Sequence, residues 1–66
     1  MTAADPTPGM RVEIEIVPGG SWQPAEYGGY WISSRGKEHT FTLLKTGSIV
    51  TKTDAQLASE VREVAP

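Results

Sequence analysis

Not one cysteine occurs in these 66 residues, and that absence limits the fold more than any feature present. Small domains usually offset a thin core with disulfides or a thiolate-bound metal. Here packing has to suffice. A domain of about 60 residues buries only about 60% of the surface its unfolded chain exposes. At about 0.05 to 0.15 kcal/mol per residue, net stability is on the order of 3 to 10 kcal/mol. Aromatic side chains bury the most area each, so some of Trp22, Tyr27, Tyr30, Trp31 and Phe41 must be core. Self-association is the other route by which so short a chain gains buried area.

Residues 1–8 hold two prolines, two threonines and, after Met1, no large apolar residue. They are expected to form a disordered or loosely draped arm ahead of one domain at residues 9–66. In residues 10–17, Met10, Val12, Ile14 and Ile16 alternate with Arg11, Glu13 and Glu15, the period-2 pattern of a half-buried strand. Pro18-Gly19-Gly20-Ser21 then forces a turn or open loop. Residues 22–32 read as a second, aromatic-rich strand with Pro24 near its start, where proline is tolerated. Gly28-Gly29 at its middle predicts a sharp bend or bulge, which lets one long strand serve two sheets. Residues 33–38 are polar and contain glycine, as a hairpin loop should. Third and fourth strands follow at residues 40–44 and 49–53, joined by a turn through Lys45-Thr46-Gly47-Ser48.

Residues 53–66 support two readings. Thr53 followed by Gln56 matches a capping box, and Leu57, Val61 and Val64 recur at helical spacing, which together predict a helix of about ten residues. Alternatively, residues 54–60 make a single helical or 3-10 turn and residues 61–65 a closing fifth strand. The second is preferred, because four strands leave two exposed edges and a fifth beside the first would cover them.

A Trp22-Gln23-Pro24-Ala25 start to a bent second strand, two hairpins, and a turn before Val61-Arg62-Glu63-Val64 together resemble the SH3-like barrels of the Tudor, Agenet and KOW type over residues 9–66. The resemblance implies an all-β fold: a small five-stranded SH3-like barrel with a short helical or 3-10 turn before the last strand. The architecture is also similar to the plasmid-borne type II dihydrofolate reductases, tetrameric SH3-like barrels with a central active-site pore. Trp22-Gln23 and Gly47-Ser48 match that family. Its Val-Gln-Ile-Tyr for cofactor and folate does not: Ile49-Val50-Thr51-Lys52 puts Val50 for the glutamine and Lys52 for the tyrosine. That implies shared architecture without shared chemistry.

Six Lys and Arg against eight Asp and Glu give a formal net charge of −2, which disfavours a general nucleic-acid binder. The only histidine, His39, sits at a loop-to-strand junction with no nucleophile signature near it and no partner at metal-ligand spacing. Glu13 and Glu15 share the outward face of a strand and lack a cleft. No catalytic group, metal or cofactor is therefore expected, and the chain reads as a non-enzyme. Tudor-like barrels cage methylated lysine or arginine with aromatics. On that resemblance the candidate partner-binding residues are Trp22, Tyr27, Tyr30, Trp31 and Phe41, with Glu26 adding a carboxylate. Plain alternation separates them, Tyr27 and Trp31 on one face and Tyr30 on the other, unless the glycine pair intervenes.

The leading expectation is thus an interaction module that binds a protein or peptide, or its own copies as a homo-oligomer, through aromatics and a sheet edge. A phage or mobile-element accessory or inhibitor protein fits that class. The rival is a nucleic-acid-binding barrel using Arg35, Lys37, Lys45 and Lys52, with Tyr30 or Trp22 stacking on bases. A reductase-like oligomer is third. Apolar runs of only a few residues, and a start lacking the basic and apolar regions of a signal peptide, predict a cytoplasmic protein without membrane contact.

Overall fold

The computed structural model describes residues 6–64. It contains β1 (Arg11–Glu15), β2 (Trp22–Ser33), β3 (Gly36–Leu43), β4 (Ile49–Thr53), α1 (Asp54–Glu60) and β5 (Val61–Glu63). Every strand pairing is antiparallel, in the order β4-β3-β2-β1-β5. The architecture is all-β, with one short helix before the last strand. Most of the expected arm, residues 1–5, lies outside the described residues. Pro6 is already buried.

Alternation in β1 sends Val12 and Ile14 fully inside. Ile16 would continue the pattern but falls after the strand and is exposed. In β2, the ladder to β3 begins at Ala25, so Pro24 keeps to the strand start, as its missing N–H requires.

The register between β2 and β3 steps from Tyr27 opposite Phe41 to Gly29 opposite Thr40, leaving Gly28 as the extra residue of a bulge. Gly29 takes a φ of 113°. The step reverses the alternation beyond it. Tyr30, opposite the buried His39, joins the face of Tyr27, and Trp31 turns to the other face. The plain alternation of residues 22–32 is corrected accordingly. A Cβ at Gly29 would meet no atom within 4 Å, so Gly29→Ala should cost only backbone strain, about 1 to 3 kcal/mol. A lowered urea midpoint with an unchanged circular dichroism spectrum is the expected result.

The loop expected at residues 33–38 shrinks to Ser34-Arg35, closed by Ser33 pairing with Gly36. Both turn residues keep negative φ while Gly36 takes 98°, as in a type I turn closed by a left-handed glycine. β3 therefore starts at Gly36 rather than Thr40. Lys37 and Glu38 become strand by pairing with Ile32 and Trp31, since a ladder recruits polar residues that have no strand preference of their own.

At the C-terminus the capping box is real. Gln56 N–H donates to Thr53 Oγ1 at 3.3 Å, and Thr53 N–H donates to Gln56 Oε1 at 2.9 Å. The helix stops where Val61 turns extended and pairs with Ile14, so the turn-then-strand reading holds and the longer helix does not form. The closing strand ends at Glu63, and Ala65 of the expected 61–65 lies outside the described residues. It covers the free side of β1 but, among the described residues, does not reach β4, so the sheet stays open, with β4 and β5 as its edges. The expectation that a fifth strand covers both edges is corrected.

The core joins Val12, Ile14, Ala25, Tyr27, Phe41, Leu43, Leu57 and Val61, with Met10 and Val50 packed against it. Tyr27 and Phe41 are its only aromatics, their ring centroids 5.3 Å apart. Among the described residues no helix is long and apolar enough to cross a membrane.

Candidate functional site

The inward parity that carries Phe41 and Leu43 into the core also carries His39, which is fully buried. Its ring Nδ1 lies 2.8 Å from Tyr27 Oη, and its Nε2 lies 2.6 Å from Asp54 Oδ1. An ionised Asp54 only accepts, so in the neutral ring the proton sits on Nε2 and Nδ1 accepts from the Tyr27 hydroxyl. Lys52, the cross-strand partner of His39, is also interior. Its Nζ donates to Glu15 O and to Glu60 Oε1, each at 2.6 Å. These contacts tie α1 to the sheet at both ends, at Asp54 through His39 and at Glu60 through Lys52. Burying polar groups is costly unless each is hydrogen-bonded, and among the described residues no buried side-chain polar atom lacks a partner.

No sequence motif marks this cluster, because Tyr27, His39 and Asp54 lie far apart in the chain. Lys52, expected among the nucleic-acid contacts, is structural instead. His39 is not a loop residue but part of the core face. Among the described residues no pocket opens onto the cluster, and no group of three or more potential metal ligands is assembled.

Glu38, opposite Trp31 on the other face of the arm, bonds the Arg35 guanidinium at 2.8 Å. The Ser33 hydroxyl first, and the Arg35 charge and hydrogen bond as well, hold its carboxyl below the usual range against the opposing effect of burial. The hydroxyl has one proton, which the Gly36 carbonyl at 3.2 Å also attracts. A depressed folded pKa stabilises the fold above the unfolded carboxylate value, and that contribution is lost as the pH falls through the folded value. Stability of the native chain should therefore decline below about pH 4, and Glu38→Gln should make that decline shallower. Thermal melts of both chains from neutral to acid pH check this.

The aromatics do not converge. Trp22 lies on the outer face of β2 beneath the Arg62 guanidinium, 4.2 Å from its ring centroid, and Arg62 also bonds Glu13 at 2.9 Å. Glu26 pairs with Arg11 at 3.5 Å. Tyr27 and Phe41 are interior. These six side chains do not assemble a cage of the Tudor kind, and of the rings among them Tyr30 and Trp31, past the bulge, are the exposed ones. Tyr30 and Trp31 stand on opposite faces of the β2–β3 arm with Ile32 beside them, all three exposed.

The basic set also separates. Arg35 is held by Glu38, Lys37 lies 4.6 Å above the Tyr30 ring, Lys45 sits in the turn after β3, and Lys52 is interior. No protein-family model, curated protein or solved structure matches this chain. The functional reading therefore rests on its own geometry.

Proposed function

We propose that this chain is a small SH3-like barrel acting as a non-enzymatic interaction module, which binds a protein or peptide, or its own copies, through the β2–β3 arm. The strand order, the bent β2 and the helical turn before the last strand support the SH3-like reading. One observation carries the functional part. Tyr30, Trp31 and Ile32 are consecutive, large and apolar, yet 52%, 45% and 69% exposed, in a chain short of buried area. Aromatics of this kind dominate interaction hot spots.

A double Trp31→Ser, Ile32→Ser variant tests the reading. Its circular dichroism spectrum should match the native one, because neither side chain belongs to the core cluster. Self-association in sedimentation, or a cross-linked partner, should be lost with it. If the native chain shows no association that depends on residues 30–32, the reading fails. The nucleic-acid reading gains no support, since two of its four cations are engaged by carboxylates and the net charge is −2.

A further inference from the structure

β1 pairs with β2 only through Glu26, and the last backbone bonds on that side join Tyr27 to Gly9 and Met10. Past the bulge, residues 28–33 of β2 have β3 on one side and, among the described residues, no strand on the other. An open strand side is a template for another chain unless charge, proline or brevity protects it. The other two edges have such protection, since β5 is three residues long and carries Arg62 and Glu63, and β4 carries the inward-pointing charge of Lys52. The run Gly28-Gly29-Tyr30-Trp31-Ile32-Ser33-Ser34 has neither charge nor proline.

We infer that a second copy of this chain occupies that edge, as an antiparallel pair about a two-fold axis at Trp31. The inference rests on the interaction-module reading above and names its partner. In this register Tyr30 faces Ile32 of the other copy, the two Trp31 rings lie side by side on the outer face, and Gly29 faces Ser33. A two-fold pair sets each residue against its own kind or its mirror position, so a charged run would confront like with like. This run has no charge to confront. A second copy brings this same uncharged run to every encounter, so no other sequence has to be supplied.

Area sets the strength. With about 150 to 250 Å² for a fully covered large side chain, the three exposures come to about 300 Å² per copy and about 600 Å² for the pair. That is well under the roughly 1,200 Å² at which stable interfaces begin, in the range of weak, transient ones. The dimer is therefore reversible and grows with concentration.

Sedimentation velocity between about 10 µM and about 1 mM should show a shift from monomer toward dimer, with amide NMR shifts on dilution concentrated in residues 28–34. Ile32→Glu sets a carboxylate against Tyr30 of the other copy in place of the apolar contact, and should abolish the shift. Thr51→Lys, on β4, should leave it intact. If Ile32→Glu unfolds the chain, Trp31→Ala is read in its place with the same expectation. A strict monomer at the highest concentration overturns the inference, as does a dimer lost in Thr51→Lys and kept in Ile32→Glu. A monomer that still binds another protein through residues 30–32 overturns the second copy alone. A monomer with no arm-dependent binding overturns the interaction-module reading too.

Discussion

Phe41→Ala is expected to remove a large share of the stability of this fold, about 3 to 5 kcal/mol. The ring is fully buried, flanked by Tyr27 on β2 and Val50 on β4 as cross-strand partners. It therefore joins the two hairpins that make most of the sheet. Truncating a buried phenylalanine costs about 3 to 5 kcal/mol through lost transfer energy and the cavity left behind. Against a total of about 3 to 10 kcal/mol for 66 residues, that removes a third of the stability at best and all of it at worst. Far-UV circular dichroism and urea titration decide the matter. A loss under about 1 kcal/mol would mean the core closes over the gap, contrary to close packing around this ring.

The second large effect concerns the interior ion pair. Glu60→Leu leaves the Lys52 ammonium, 3% exposed, with only the Glu15 carbonyl as its acceptor. Breaking a buried pair from one side costs about 3 to 5 kcal/mol, and the partial exposure of Glu60 lowers that to about 2 to 4. Adding Lys52→Met to the same chain should restore most of the loss, because replacing both partners with apolar groups removes the desolvation cost as well. Urea midpoints of the single and double variants provide the check. If the double variant is no more stable than Glu60→Leu, the ammonium contributes through its bond to Glu15 rather than through the pair.

Local rules carried far along this chain. The alternation of Val12 and Ile14, the turn glycines Gly36 and Gly47, the bend at Gly28-Gly29 and the capping box at Thr53 are each encoded within a few residues, where sterics and hydrogen bonding decide them. The strand status of Lys37 and Glu38 is not local, because it comes from pairing with Ile32 and Trp31 across the turn. Nor is the interior placement of His39 and Lys52, whose polarity argued for the surface. Parity with Phe41 pointed His39 inward, yet only the arrival of Tyr27 and Asp54 from other elements makes that placement tolerable.

The candidate site shows the same division. Aromatic content in residues 22–41 was plain from the sequence, and so was the need to bury some of it. Which face each ring takes past the bulge depended on the single-residue step at Gly28, which set Tyr30 on the face of Tyr27 and Trp31 on the other, both exposed. Alternation, turn glycines and the helix cap were legible residue by residue, and so was a core too small to hold every aromatic. That β5 stops short of β4, that the polar cluster anchors α1 and that, among the described residues, no strand covers the far side of residues 28–33 are outcomes of the assembled fold. Those outcomes depend on pairings between distant segments, and pairing is a property of two stretches of chain that neither one encodes alone.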